Sequence, residues 1–374
     1  MAKGKTGKKE KKIRYFDYNL LFLLIFLICF GLVMLYSASS YSASINYSNS
    51  AYYVKKQIIF YGIGTVVMIV MASIPYTFWK RWATIIYAVA IALCVVILIP
   101  GVGRSSHGQS RWIQVGPIGF QPSEAAKIAV IIFLAMMFER TYSKMGDFRT
   151  LIKLFLLVLP VVGPIAWNNL STAVIIMGIA FCMAFVASPK YSHFAVVLLA
   201  GVAFILLFIF GASYRGDRVN AWLHPETAGD DGFQTLQGLY AIGSGGLFGK
   251  GLGESMQKFI VPEAQNDMIF SIICEELGLF GGVCIIVLYG LFLWRMLVIC
   301  NNANDLFGAL LVTGVMSHIA IQVILNIAVV TNTIPNTGVT LPFFSYGGSS
   351  VMFLMLEMGL VISVSRGIVL DEIK

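Results

Sequence analysis

Long apolar runs dominate the chain, and its polar residues gather between them. The runs fall at 17–37, 54–73, 83–100, 122–138, 150–167, 170–187, 192–212, 268–298, 306–330 and 346–366. A helix needs roughly 20 apolar residues to cross the hydrocarbon core of a bilayer. The pattern therefore predicts an all-α polytopic membrane protein of about ten transmembrane helices. Only Asn168-Asn169-Leu170 separates the fifth run from the sixth, which predicts a tight turn there. No internal repeat is evident.

The polar stretches set the orientation. Seven of the 26 Lys and Arg lie in the first fourteen residues, MAKGKTGKKEKKIR. Such a tail belongs in the cytoplasm, next to anionic lipid. Ten crossings from there return the C-terminus to the cytoplasm, with 17 of the 26 basic residues on the inner side and eight on the outer. The chain then divides into a basic cytoplasmic tail, 1–16, and a single transmembrane domain, 17–374. The run at 18–36 is longer than a signal-peptide core, so it reads as a span. The outer side receives the Ser- and Tyr-rich loop 38–53, loops 101–121 and 331–345, and a long extracytoplasmic loop, about 213–267, between helices 7 and 8.

Composition removes the other classes. The chain of 374 residues is 58% hydrophobic and only 12% charged, and its mean hydropathy is +0.83. A soluble globule, a disordered chain, a coiled coil and a disulfide scaffold are all excluded. The net charge of +8 resides largely in the tail and does not point to nucleic acid. The six cysteines lie in or beside apolar runs without a CxxC pair, so they read as packing residues.

Candidate chemistry lies on the outer side. Glu124 and Lys127, in QPSEAAK at 121–127, share a helix face at i, i+3 spacing. They form either a structural ion pair or a polar patch that meets an anionic substrate. Arg111, in the preceding loop, is a further cation for phosphate. Asp267 ends the segment VPEAQND and precedes an apolar run. It is either a helix N-cap or a general base at the membrane surface, with Glu263 one turn earlier if the segment is helical. Glu275 and Glu276 lie deeper and read as structural. The glycine-rich stretch AIGSGGLFGKGLG at 241–253 is either an irregular loop needing positive φ or a phosphate cradle aided by Lys250. The segment LPFFSYGGSS at 341–350 offers small residues for close helix approach and hydroxyls for a sugar or phosphate. The four histidines show no metal-ligand spacing. Outside the membrane there is no ATP, so an enzyme there needs a substrate already activated and held in the bilayer. A polyprenyl-pyrophosphate sugar fits, with its lipid tail, two phosphates and built-in leaving group.

Several motifs in fixed order carry a family resemblance. They are RWI at 111–113, QPSExxK at 121–127, GSGGLFGxGLG at 243–253, Gln257-Lys258, PEAQNDMIF at 262–270, EELG at 275–278 and PFFSYGGSS at 342–350. Together they resemble the SEDS proteins of shape, elongation, division and sporulation, and within them the FtsW/SpoVE branch more than RodA. The resemblance implies a ten-helix peptidoglycan glycosyltransferase of the bacterial cytoplasmic membrane, at the division septum. It would polymerise lipid II on the outer face, for division or sporulation septum synthesis. It implies Asp267 as the essential acid, and Arg111, Glu124, Lys127, Lys250, Lys258, Glu263, Ser345 and Ser349 as residues that meet substrate. No organic cofactor is implied; a divalent cation, Mg2+ or Mn2+, suits the departing pyrophosphate. The implied partners are the growing lipid-linked glycan, a class B penicillin-binding protein with transpeptidase activity, and other division proteins. Many members have Pro-Asp between the fifth and sixth spans, where this chain has Asn168-Asn169, so no acid's role is carried over there. A lipid II flippase or a non-catalytic division scaffold is the alternative reading.

Overall fold

The computed structural model describes residues 13–99, 104–106, 109–115, 118–210 and 219–370. The basic tail before residue 13 lies outside them. The helices are α1 (Tyr18–Tyr47), α2 (Tyr52–Ser73), α3 (Tyr76–Val96), α4 (Pro122–Thr141), α5 (Phe148–Leu156), α6 (Leu159–Asn168), α7 (Leu170–Ala187), α8 (Ser192–Phe210), α9 (Asp230–Gly245), α10 (Ile269–Asn301), α11 (Leu306–Val330) and α12 (Gly348–Gly367). Seven of them are long and apolar enough to cross a membrane, and the bent pair α5–α6 makes an eighth if it is one span. The expected figure of about ten is reached only by adding α4 and α8. α4 is 20 residues long but carries Glu124, Lys127, Glu139 and Arg140, and α8 is 19 residues long.

Local chemistry explains where these helices begin and break. The Asp17 carboxylate caps α1 by accepting from the Leu20 N–H at 2.9 Å. It also pairs with Arg295 of α10 at 2.5 Å. The first outer loop is much shorter than the sequence suggests, because α1 runs on through its serines to Tyr47. Ser44 Oγ donates back to the Ser40 carbonyl at 2.9 Å, satisfying the hydroxyl within the helix. The helix stops where Ser48 turns left-handed, φ 52°. α3 also starts earlier than its apolar run, so Lys80 and Arg81 are helical. The expected fifth span is broken, with 47° between α5 and α6. Pro160 and Pro164 have no N–H to give to the carbonyls of residues 156 and 160, which weakens the ladder there. The expected tight turn at 168–170 is present, with the Asn169 side chain capping α7 through the Thr172 N–H at 3.2 Å.

Two small sheets complete the fold. β1 (Ile13–Arg14) pairs antiparallel with β5 (Val369–Leu370), so the two ends of the described chain lie side by side. The outer loop after α3 forms a three-stranded antiparallel sheet in the order β2 (Arg104–Ser106), β3 (Gln109–Val115), β4 (Ile118–Phe120). It delivers the chain to Pro122, the first residue of α4. The core is formed by α4, α7, α11 and α12 with the inner faces of α1, α2 and α10. Close approach is required at Gly31, where a Cβ would lie 2.3 Å from the Phe343 carbonyl oxygen. That contact fixes the 341–346 turn against α1.

Candidate functional site

A cavity of about 700 Å³ opens among the first turns of α4 and α7, α9, the segment before α10, residues 336–340 and the start of α12. Glu124, Lys127, Glu263 and Asp267 all line it. Glu124 and Lys127 sit on the first turns of α4 and meet at 2.9 Å, with their side chains 10% and 2% exposed. The helical spacing makes the pair and burial makes it consequential, because removing one partner leaves a buried charge.

Asp267 is buried and faces the same cavity. Gln234 of α9 donates from Nε2 to Asp267 Oδ1 at 3.1 Å. Asn326 of α11 donates to its backbone carbonyl at 2.8 Å and also to that of Val339 at 2.7 Å. The N-cap role read from the sequence is not what Asp267 does. The cap of α10 is Met268, without a side-chain hydrogen bond. The carboxylate instead accepts from Gln234 and lines the cavity. Glu263 lies in a turn rather than on a helix, at φ 51°, and accepts from Asn266 Nδ2 at 2.9 Å.

The other sequence-derived candidates lie elsewhere. The glycine-rich loop after α9 grips α10 instead of standing open. Gly278 interrupts α10 at φ 69°, and a Cβ on it would lie 2.4 Å from the Gly249 nitrogen and the Leu247 oxygen. The loop's Lys250 and Gly251 N–H groups donate to the Glu275 and Glu276 carbonyls, each at 3.0 Å, while Leu279 N–H reaches the Gly246 carbonyl at 2.9 Å. Positive φ at Gly246, Gly249, Gly251 and Gly253 allows that splice. Lys250 pairs with Glu275 at 2.7 Å and Lys258 lies 4.0 Å from Glu276. Ser345 Oγ accepts from the Leu341 N–H at 2.8 Å, closing a turn. Ser349 is buried near the start of α12, and the serine of that segment lining the cavity is Ser350. Arg111 is on β3, and its side chain lies outside the described residues.

The cavity also holds amides and hydroxyls that the sequence reading did not assign to a site. Asn169, Thr172, Gln234, Gln322, Asn336 and Thr337 line it. Gln322 Nε2 donates to the Thr340 carbonyl at 3.0 Å, leaving Oε1 buried and without a hydrogen-bond partner among the described residues; Thr337 Oγ1 is in the same state. A signal for Gln322 was present: with Asn326 it forms an i, i+4 amide pair inside an apolar run, and polar groups are costly there. Chemically the cavity offers a carboxylate, a buried cation and several polar groups that suit sugar hydroxyls. Among the described residues no three His, Cys, Asp or Glu converge as a metal site.

Comparison with known proteins fits this geometry. Stage V sporulation protein E of Bacillus subtilis is 39% identical over 360 residues, 94% of this chain and 97% of that protein. A probable peptidoglycan glycosyltransferase FtsW of Trichlorobacter lovleyi is 35% identical, with 96% of each chain covered. Among solved structures, a chain of a peptidoglycan synthase complex that coordinates polymerization and crosslinking superposes with a TM-score of 0.79 at 27% identity, covering 94% of this chain and 98% of the other. The rod shape determining protein RodA of Thermus thermophilus gives 0.70 at 27% identity, covering 94% and 97%. The family model for cell cycle proteins of the FtsW, RodA and SpoVE type matches residues 18–368, and the chain belongs to that family.

Proposed function

We propose that this protein is a peptidoglycan glycosyltransferase that polymerises lipid II on the outer face of the cytoplasmic membrane, for septum synthesis in division or sporulation. The observation that carries the reading is one cavity in which the Asp267 carboxylate and the buried Glu124–Lys127 pair share the lining. The 4-hydroxyl of the acceptor sugar attacks the anomeric carbon of the lipid-pyrophosphate-linked glycan. The new glycosidic bond forms as the bond to pyrophosphate breaks, with inversion. Asp267 takes the hydroxyl proton, and Lys127 offsets charge on the departing pyrophosphate. Arg111 adds to that role from β3. The relatives named as glycosyltransferases support the reaction class, and the likeness to a synthase complex supports a class B penicillin-binding protein as partner.

Among the described residues no three His, Cys, Asp or Glu gather in the cavity, and Glu124 is paired with Lys127. A divalent cation at this site would take most of its oxygen ligands from the substrate's phosphates.

The test is Asp267→Asn in the purified full chain with its transpeptidase partner, reading glycan polymer per folded protein. Asparagine keeps an oxygen for the Gln234 bond, so folded yield and lipid II binding should hold. Turnover should fall by about 10²–10⁴, the range for loss of a general base. Activity within about threefold of wild type would end the proposal, and transbilayer movement of lipid II without polymer would point to transport.

A further inference from the structure

Trp112, Trp222 and Tyr346 line the cavity beside its polar groups. Trp222 is held by a reciprocal pair of bonds. It lies in the short helical stretch 219–223, between α8 and α9. Its indole N–H donates to the Asn332 carbonyl at 2.9 Å, and Asn332 Nδ2 donates back to the Trp222 carbonyl at 3.3 Å. Asn332 follows α11 and sits in the left-handed region at φ 55°, a conformation that asparagine tolerates better than most residues. Its own N–H returns to the Val329 carbonyl at 2.9 Å, which ties the turn to α11. Trp222 is thus anchored at its ring nitrogen and at its backbone. The N–H is the only polar group of an indole, and here the protein uses it. What Trp222 brings to the cavity is the ring itself. A tryptophan that only anchors a protein at the membrane surface keeps its N–H for water or head groups.

The turn after α11 also joins this indole to the proposed base. Farther along the same loop, Asn336 Nδ2 donates to Gln234 Oε1 at 3.0 Å, and Gln234 Nε2 donates to Asp267 Oδ1 at 3.1 Å. One loop therefore bonds the Trp222 segment through Asn332 and reaches Asp267 through Asn336 and Gln234. We infer that Trp222 is the platform for the acceptor sugar, with one C–H face of the pyranose ring laid on the indole while the 4-hydroxyl meets Asp267. Stacking of this kind draws on buried apolar area and needs the ring, not its nitrogen. The hydroxyls at the rim of the sugar are left for the amides of the cavity, a division between apolar lining and a few placed polar groups that suits small-ligand sites. Neither the pyrophosphate nor the polyprenyl tail has a pyranose face to offer, so the occupant is the sugar end of the substrate. The inference rests on the proposed glycosyl transfer with Asp267 as base.

The experiment uses the full chain with its transpeptidase partner, in the Asp267→Asn background so that turnover does not intervene. It compares binding by Trp222→Ala, Trp222→Leu and Trp222→Phe at matched folded yield. The probes are lipid II and polyprenyl pyrophosphate, which has the same tail and phosphates without the sugars. Trp222→Ala should weaken lipid II binding by roughly tenfold, the scale of a lost aromatic anchor, and leave polyprenyl pyrophosphate within about twofold. Trp222→Phe keeps a ring but gives up the bond to Asn332, so its melting midpoint should fall slightly while lipid II binding stays within about threefold. If Trp222→Ala yields no folded protein, Trp222→Leu, which keeps apolar volume without a flat ring, takes its place with the same expectation. With Asp267 restored, the loss should appear in KM, with kcat within about threefold, because a platform supports substrate and transition state alike. Unchanged lipid II binding overturns the platform, as does equal weakening of both probes, which would make the contact one to phosphate or lipid. A phenylalanine variant as weak as alanine overturns it too, and would make Trp222 a clamp for the loop. If Asp267→Asn itself polymerises at a near wild-type rate, the glycosyl-transfer reading falls instead, and the binding comparison, which needs no turnover, still decides the role of Trp222.

Discussion

Two carboxylates a few turns apart, Asp267 and Glu275, have opposite fates. Glu275 is fully buried and surrounded by donors. Lys250 Nζ at 2.7 Å, Ser244 Oγ at 3.3 Å and the Met256 N–H at 3.2 Å all give to its Oε1. Ser255 Oγ and the Gln257 N–H give to its Oε2, the latter at 3.2 Å. Asp267, eight residues earlier in the chain, accepts from Gln234 at 3.1 Å and lines a large cavity. Burial does not separate them, since both are buried. The surroundings do. Glu275 is enclosed by its own chain and locks the glycine-rich loop to the break in α10. Asp267 borders open volume whose lining also carries the Glu124–Lys127 ion pair, where a substrate can reach it. A saturated buried carboxylate holds structure, and one facing a polar cavity is available for chemistry.

The largest effect expected from that contrast is on folding. Glu275→Ala removes the acceptor for five donors and leaves the 244–258 loop to its backbone bonds with α10. Losing one side of a buried charged cluster costs about 3–5 kcal/mol, so folded yield after detergent extraction should fall sharply. Asp267→Asn in parallel should keep its yield and lose its turnover. If Glu275→Ala instead folded normally and only activity disappeared, the two carboxylates would not differ in kind.

Lys127→Met comes next and tests the ion pair in the cavity that Asp267 also lines. It leaves Glu124 buried without its cation, a loss of roughly 3 kcal/mol, and removes a charge from the proposed pyrophosphate site. Thermal stability and polymerisation should both drop. Adding Glu124→Gln removes the second charge and should restore stability without restoring activity. Full recovery of polymer by the double variant would make the pair structural, like Glu275 and Lys250.

The sequence carried much of this fold because membrane spans are written as apolar runs, and the helices follow those runs closely. It also carried the Glu124–Lys127 contact, since i, i+3 spacing on a helix leaves little freedom. Element ends were harder to read. The serines after residue 37 resemble a loop in composition, yet the Ser40 and Ser44 hydroxyls donate to carbonyls one turn back, so α1 continues. The break between α5 and α6 was foreshadowed by Pro160 and Pro164, but a hydropathy run does not register lost N–H donors. Long-range assignments were least legible. Gln234 and Asn326 reach Asp267 from distant segments, and their identities say nothing about that meeting. Glu275 is held partly by backbone N–H groups, which every non-proline residue owns. Hence Lys250 read as a phosphate ligand and Lys258 as a substrate-meeting residue in the sequence, while the fold sets both beside α10 carboxylates.

The smallest expected effect is the most direct probe of that last reassignment. Lys250→Met removes a cation whose side chain is 34% exposed and whose partner Glu275 is fully buried. Solvent screens the exposed ammonium, so the pair contributes little on its own. Glu275 keeps its bonds from Ser244, Ser255, Met256 and Gln257 after the substitution. A destabilisation of about 1 kcal/mol is expected, read as a modest fall in the melting midpoint. A lysine that bound pyrophosphate would behave differently, because its loss would weaken a contact to the substrate while the fold stayed intact. Polymerisation at matched folded yield is therefore expected to stay within about twofold of wild type, with KM for lipid II unchanged, since a rim contact to structure is not a transition-state contact. A KM raised by tenfold or more with an unchanged melting midpoint would return Lys250 to the substrate site, and would mean that the glycine-rich loop leaves α10 during the reaction to bring its lysine to the phosphates.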